Sequence, residues 1–168
     1  ILIVAAFEMV WHHTLAKVLE EGRDRHPNDV MEEWKKLYTL VNSMFEQVIA
    51  SNSNQLSGPE RRKNDLILTL LLSKRDLLQA FLKIYVHSAS DFNWEKLLKY
   101  VWSSESGCVQ IEQCFSIVDY GYEFMGVEQI GIQNPENEKV WFQINEAIRQ
   151  HNIPQLSGAP ATGKSLLV

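Results

Sequence analysis

The chain has 168 residues, of which 45% are hydrophobic and 22% charged, and its formal net charge is -5. These proportions are typical of a globular protein, and the negative charge gives no basic surface for a nucleic-acid partner. No apolar run approaches the roughly 20 residues that cross a bilayer, so no membrane partner is expected either. The chain opens at Ile1 rather than at Met, which is expected of a sequence that begins inside a longer protein.

The first half of the chain is predicted to be helical. In the opening segment the apolar residues recur every three or four positions, which is the pattern of one helix face, and Gly22 ends that segment. The second helix is predicted to begin with Asn28 as its N-cap. Its apolar residues form a broad stripe, which indicates a buried face: Val30, Trp34, Leu37, Val41, Met44 and Val48.

A third helix is predicted from Pro59 and Glu60 to about Val86, because proline is favoured in the first helical turn. Lys74 falls on the apolar side of this helix, so its ammonium is expected to reach the surface or to pair with an acid. A short helix from Trp94 to Trp102 is predicted next. Short polar connections between long helices favour antiparallel packing.

The pattern changes after Gly107. Apolar and polar residues alternate from Val109 to Ile117, which predicts one strand. In such a strand Cys108 and Cys114 would lie about 20 Å apart, too far for a disulfide. A last helix is predicted from about Asn137 to Arg149, and the change in composition near residues 103–107 predicts a domain boundary.

One segment carries a chemical motif, the pattern G-x-x-x-x-G-K-[ST] of a phosphate-binding loop. Its glycines allow backbone N–H groups to turn towards a phosphate, its lysine reaches the β- and γ-phosphates, and its hydroxyl residue holds Mg²⁺. Chance would produce this spacing in roughly one chain of this length in a hundred. The sequence therefore predicts a site for ATP and Mg²⁺, with Ser165 as the metal ligand, formed by Gly158, Ala159, Pro160, Ala161, Thr162, Gly163, Lys164 and Ser165.

No catalytic residue is assigned. The sequence stops at Val168, and the acid, the water-positioning residue and the arginine finger of phosphoryl-transfer enzymes would have to come later in the chain. These residues alone are therefore expected to be catalytically incomplete.

Three stretches resemble the dynein heavy chain family. The segment from Arg61 to Asp76 is similar to the end of the dynein linker, although Ser73 replaces the histidine of the family's His-x-Arg-Asp signature. Residues 91–102, DFNWEKLLKYVW, resemble the family block "DFxW…LRYYW". Residues 120–126, YGYEFMG, resemble "YGYEYLG", which opens the first AAA+ module. The resemblance covers nearly the whole chain and is strongest after Arg61.

The same register places residues 132–139 where the family has "VITPLTDR", the strip that packs on adenine. The resemblance thus implies that Ile132 and Pro135 contact the base. Ala161 stands where the family's "GPAGTGKT" has a glycine. Such departures indicate a divergent member, such as a dynein heavy chain domain-containing protein.

The resemblance implies a mainly α fold, in which antiparallel helices of a dynein-type linker lead into the α/β beginning of an incomplete AAA+ module. Residues 1–102 would be the C-terminal part of the linker, and residues 103–168 the start of the first ATPase module. The implied function is that of a microtubule motor heavy chain, which couples ATP binding and hydrolysis to linker movement. The implied partners are the other AAA+ modules of the same chain, other dynein chains and, through the parent protein only, the microtubule.

The implied location is the cytoplasm and cytoskeleton, or the axoneme of a cilium or flagellum. One alternative is a non-motor helical scaffold with a degenerate nucleotide site, which the replacement at Ala161 favours. Another is an unrelated nucleotide-binding domain that begins near Gly107. The sequence does not separate axonemal from cytoplasmic types.

Overall fold

A computed structural model describes residues 2–51, 57–114, 116–123 and 135–166. The fold is mainly helical, as the sequence predicted, and it includes a small three-stranded antiparallel sheet. The chain divides into two compact units, one of Trp11–Glu95 and the other of Ile1–Val10 with Lys96–Val168. The elements are α1 (Leu2–Glu21), α2 (Pro27–Ser51), α3 (Gly58–Ile84), α4 (Phe92–Glu95), β1 (Lys99–Ser103), β2 (Cys108–Gln113), β3 (Ser116–Asp119), α5 (Pro135–Arg149) and a 3₁₀ turn (Lys164–Leu166).

Helices α2 and α3 pack in antiparallel directions, as expected. Trp34, near the start of α2, contacts Phe81 near the end of α3, with their ring centres 5.5 Å apart. Further along α2, the ring of Phe45 lies 5.3 Å from the guanidinium carbon of Arg75, which is earlier in α3. Among the described helices, none is long and apolar enough to cross a membrane.

The centre of the helical unit is a row of aromatic rings. Trp34 is fully buried, and its indole N–H donates to the carbonyl oxygen of Val86 at 2.8 Å. Phe81 packs edge-on against both Trp34 and Trp94. Buried Trp needs a partner for its N–H, and the Val86 carbonyl meets that need. The row therefore links α2, α3 and α4 through one buried cluster.

The starts of α2 and α3 are stabilised by different residues. The prediction that Asn28 caps α2 is wrong, because the helix already begins at Pro27, a residue suited to the first helical position. His26 takes the capping role, since its Nδ1 accepts the Asn28 N–H at 3.2 Å. The side-chain oxygen of Asn28 instead accepts the hydroxyl of Tyr85 at 2.5 Å.

Helix α3 begins as the sequence suggested, with Pro59 in its first turn. The N–H and hydroxyl groups of Ser57 both donate to the carboxylate of Glu60, at 2.9 and 2.6 Å. These bonds hold the pKa of Glu60 below its usual value. They also fix the start of the helix, because they satisfy a backbone donor that the helix itself leaves unpaired.

Lys74 does not reach the surface, so that part of the prediction is wrong. It is 8% exposed, and its ammonium lies 5.9 Å from the ring centre of Trp11 on α1. A cation at this distance from a Trp ring is attracted to it, and the attraction grows as water is excluded. The face of Trp11 thus provides a favourable place for a lysine on the apolar side of α3.

The prediction of a helix from Trp94 to Trp102 is also wrong. Helix α4 ends at Glu95, and residues 99–103 form β1, which pairs with β2 from Lys99 opposite Glu112 to Ser103 opposite Cys108. The sequence of β1, KYVWS, is rich in β-branched and aromatic side chains, which favour strands over helices. These side chains explain why the segment forms a strand that pairs with β2 along its whole length.

The single strand predicted from Val109 to Ile117 is in fact a hairpin. Strands β2 and β3 pair in antiparallel directions, and Gln113 lies opposite Ser116. Cys114, in the connection, has a φ of 49°, which the tight turns of two-residue hairpins require. The two cysteines thus lie at opposite ends of β2. The last predicted helix is confirmed as α5.

Candidate functional site

The predicted phosphate loop follows α5. That helix ends in a turn where the N–H of Asn152 donates to the Ala147 carbonyl at 2.8 Å, and His151 has a φ of 57°. Residues 152–159 then continue without helix or strand, and Ile153 is 95% exposed. A turn at residues 160–161 leads into the 3₁₀ turn that holds Lys164 and Ser165. The loop therefore joins an exposed non-helical segment to a helical turn.

Lys164 is the centre of the loop. Its ammonium donates to the carbonyl oxygens of Gly158 and Ala159, at 2.9 and 2.6 Å. It also lies 3.3 Å from the hydroxyl oxygen of Thr162. The Thr162 hydroxyl in turn donates to the Ala159 carbonyl at 2.8 Å. Three of the predicted site residues thus converge on the ammonium group of a fourth, Lys164.

The backbone of the loop has left-handed residues on both sides of Thr162. Ala161 has a φ of 61° and Gly163 a φ of 78°. Backbone turns of this kind direct N–H groups into a concavity that suits an anion, as in phosphate loops. Glycine adopts such angles freely, whereas alanine adopts them at a cost in free energy. Ala161 therefore keeps the conformation that glycine would favour, but under strain.

Gly158 lies against the lysine side chain. A Cβ added there would meet the Thr162 hydroxyl oxygen at 3.5 Å and Cδ of Lys164 at 3.7 Å, which are ordinary contact distances. At Gly163 nothing lies within 4 Å of the corresponding position. Gly163 is therefore required for its backbone angle, and Gly158 borders the lysine without being sterically essential.

The loop contains residue types that phosphate loops use, and nucleotide binding by these residues stays a prediction. It combines a lysine cation, left-handed backbone turns and the exposed residue Ser165 next to Lys164. These features fit a nucleotide phosphate with its Mg²⁺. Pro160 lies at the turn, and Pro135 is the first residue of α5, whereas Ile132 lies outside the described residues. The base contact predicted for Ile132 and Pro135 therefore stays a prediction.

Helix α5, which precedes the loop, is joined to the sheet by polar contacts. The Lys96 ammonium lies 3.1 Å from the Glu138 carboxylate, and the side-chain amide of Asn145 donates to Gln113 at 2.9 Å. Gln113 also donates to the Lys96 carbonyl at 2.8 Å. Gln113 breaks the alternation of apolar and polar residues between Val109 and Ile117. This break is the one feature of the sequence that distinguishes Gln113 from the other polar residues of the strand.

The tyrosines of the YGYEFMG segment pack beside the sheet. The ring of Tyr120 contacts those of Tyr100 and Tyr122 edge-on, with centres 5.6 and 4.9 Å away. The hydroxyl of Tyr122 accepts the Val109 N–H at 3.2 Å. Burial raises the pKa of Tyr100 above its ordinary value. The two tyrosines of the segment thus attach the end of β3 to β1 and β2.

Comparison with known proteins supports the resemblance seen in these stretches. No protein-family model matches the chain. Among curated proteins, it is 23% identical over 168 residues to human dynein axonemal heavy chain 10. It is 24% identical over 164 residues to the Chlamydomonas reinhardtii dynein-1-beta heavy chain of the flagellar inner arm I1 complex, and 21% identical over 169 residues to the cytoplasmic dynein heavy chain of Caenorhabditis elegans.

Each of these matches covers 98% of this chain. The chain is therefore related to the dynein heavy chains, and the resemblance is confirmed. The similarity extends along almost all of its residues rather than being limited to the phosphate loop. The chain spans about 4% of the length of these relatives.

Proposed function

We propose that these residues belong to a dynein-like microtubule motor heavy chain, in which ATP binding and hydrolysis drive movement of a linker. The observation that carries the proposal is a phosphate-loop sequence whose backbone takes left-handed angles at Ala161 and Gly163, directly before Lys164 and the exposed residue Ser165. Similarity to dynein heavy chains over 98% of the chain supports the same assignment. A local motif and a chain-long relationship thus favour one function.

In this proposal residues 1–102 are the end of the linker, and residues 103–168 begin the first AAA+ module. Lys164 holds the β- and γ-phosphates, Ser165 holds Mg²⁺, and Ile132 and Pro135 lie against the base. The ion supplies positive charge that offsets the charge developing on the transferred phosphoryl group. In this proposal the segment contributes to nucleotide binding, and other residues of the same protein carry out the hydrolysis.

The proposed partners follow from the motor assignment. They are the other AAA+ modules of the same protein, other chains of a dynein complex, and the microtubule through a distant part of the heavy chain. The proposed location is the cytoskeleton of the cytoplasm or the axoneme of a cilium or flagellum. Dynein heavy chains of both kinds are among the relatives.

Replacing Lys164 tests the nucleotide site. Charge-assisted hydrogen bonds contribute about 1.5–3 kcal/mol each. Lys164→Ala in the full-length protein should therefore weaken Mg-ATP binding by about tenfold to a hundredfold. Calorimetric titration of Mg-ATP into wild type and variant measures the change. Lys83→Ala, which removes an exposed lysine from α3, is the matched control and should leave the affinity unchanged.

Tight binding that survives Lys164→Ala would refute the assignment of this loop. Absence of binding in wild type and variant alike would favour the second candidate, a helical scaffold with a degenerate nucleotide site. The specific observation behind that candidate is Ala161, an alanine held at a φ of 61°. Titration of Mg-ATP into the wild-type protein therefore separates the two candidates, because the motor should bind Mg-ATP and the scaffold should not.

A further inference from the structure

The three protons of the Lys164 ammonium each have an acceptor inside the loop. A lysine ammonium has three N–H donors and no acceptor. The structure provides three oxygen atoms for them, the carbonyls of Gly158 and Ala159 and the hydroxyl of Thr162, at 2.9, 2.6 and 3.3 Å. Phosphate oxygens would compete for the same three protons. Lys164 cannot hold all three loop contacts and bind phosphate at the same time.

Thr162 is the side chain that completes this arrangement. Its hydroxyl donates to the Ala159 carbonyl at 2.8 Å and faces the Lys164 ammonium. A hydroxyl has one proton and two lone pairs, so it can donate to the carbonyl and accept from the lysine simultaneously. Thr162 thus connects the lysine to the same carbonyl that the lysine itself contacts. Its hydroxyl stabilises the position of Lys164 turned back onto the loop.

We infer that Thr162 is a positioning residue that holds Lys164 on the Gly158 and Ala159 carbonyls and thereby opposes binding of nucleotide phosphate. This inference rests on the proposed nucleotide-binding function. Its physical basis is that a contact made only in one of two conformations shifts the equilibrium towards that conformation. When phosphate oxygens replace the loop acceptors, the contribution of the Thr162 hydroxyl to the turned-back lysine is lost. Removing that hydroxyl should therefore make binding easier.

The test compares variants that differ in this hydroxyl. Thr162→Val keeps the branched shape and removes the hydroxyl, and Thr162→Ala removes the hydroxyl together with the methyl group. In the full-length protein both should bind Mg-ATP about threefold to tenfold more tightly than wild type, or about 0.7–1.4 kcal/mol. Thr162→Ser keeps the hydroxyl, so it should bind Mg-ATP less tightly than Thr162→Val and Thr162→Ala do. Calorimetric titration of Mg-ATP gives the affinities.

Thr69→Val is the matched control, because the Thr69 hydroxyl also donates to a backbone carbonyl, that of Asp65 at 2.8 Å, but lies on α3. It should not change the affinity. A merely structural role for Thr162 predicts weaker binding in Thr162→Val, which is the opposite sign.

Binding by Thr162→Val and Thr162→Ala that is equal to or weaker than wild type would overturn the inference. If Lys164→Ala still weakens binding in that case, the proposed function stands and only the role of Thr162 is wrong. If wild type and every variant fail to bind Mg-ATP, the proposed function and the inference both fall.

Discussion

The two units of the chain use different means to hold their structure. Within Trp11–Glu95, buried apolar side chains come from every helix, and the two largest that are fully buried, Trp34 and Phe81, are in direct contact. In the described part of residues 96–166, Val109 is the apolar side chain that is buried to the same degree. Strand β3 and the segment before the phosphate loop instead expose Ile117, Val118 and Ile153.

The strand-containing unit relies more on polar contacts and on backbone angles. Lys96, Gln113, Glu138 and Asn145 connect the sheet with α5, and the loop is shaped by left-handed residues and by hydrogen bonds to Lys164. Burial of apolar surface is non-directional, whereas hydrogen bonds and backbone angles fix particular geometries. The helical unit is therefore held together mainly by burial, whereas the shape of the loop depends on directional contacts.

Loss of the central tryptophan should have the largest effect. Trp34→Ala removes a fully buried indole and leaves the Val86 carbonyl without its donor. Such changes cost about 3–5 kcal/mol. Hydrogen exchange on the full-length protein should show a loss of that size in the opening free energy of the α2 and α3 amides.

Trp102→Ala makes the same substitution in the other unit, where the side chain is 55% exposed. The opening free energy of the β1 and β2 amides should change by less than about 1 kcal/mol. A loss as large as that of Trp34→Ala would contradict the comparison, because it would mean that the sheet depends on side-chain burial to the same degree.

The sequence predicted the long helices well, because their apolar residues recur along one face over many turns. Helices α1, α2, α3 and α5 all lie close to their predicted bounds, since repeated apolar spacing over many turns leaves one structural solution. Errors arose where segments were short. At residues 99–102 a helix was predicted, but strand propensity and pairing with β2 decided the structure.

The pattern from Gly158 to Ser165 predicted the residues of a nucleotide site, Thr162 among them, and that assignment stays a prediction. The pattern did not predict the contact between the Thr162 hydroxyl and Lys164, because a hydroxyl two positions before the lysine is not a fixed part of the motif. The pairing of Lys96 with Glu138 joins residues that are 42 positions apart, and no local pattern predicts it. The same limit applies to the cation–π contact of Lys74 with Trp11.

An exchange of alanine and glycine in the loop tests its dependence on backbone angles. At Gly163, with a φ of 78°, an added Cβ meets no neighbouring atom, so Gly163→Ala costs only conformational free energy. That cost is about 1–2 kcal/mol for a left-handed residue. Mg-ATP binding by the full-length protein should therefore weaken by about fivefold to thirtyfold in a calorimetric titration.

Ala161→Gly is the reciprocal change, because it removes a Cβ from a residue with a φ of 61°. It relieves strain but makes the unfolded loop more flexible, so the net gain should stay within about 1 kcal/mol and binding should tighten by no more than about fivefold. Unchanged affinity in Gly163→Ala would show that binding does not need the left-handed backbone on which the comparison rests.

The smallest expected effect concerns the end of α5. Arg149 and then Gln150 hydrogen-bond the Glu146 carboxylate and lower its pKa from 4.5 to about 2. A folded-state pKa below the unfolded value means that the carboxylate stabilises the helix end above pH 4.5 and loses this contribution as the pH falls towards 2. The pKa of Arg149 is raised, so the arginine stays charged throughout that range.

In a carbon-13-labelled sample of these residues, the Glu146 carboxyl signal should titrate near pH 2, and the Arg149 and Gln150 amides should lose protection over the same interval. Glu146→Gln should abolish the pH dependence of those amides, since its side chain carries no charge to lose. A titration midpoint near 4.5 would mean that Arg149 does not hold the carboxylate in solution, and the end of α5 would then depend on its backbone turn at Asn152 alone.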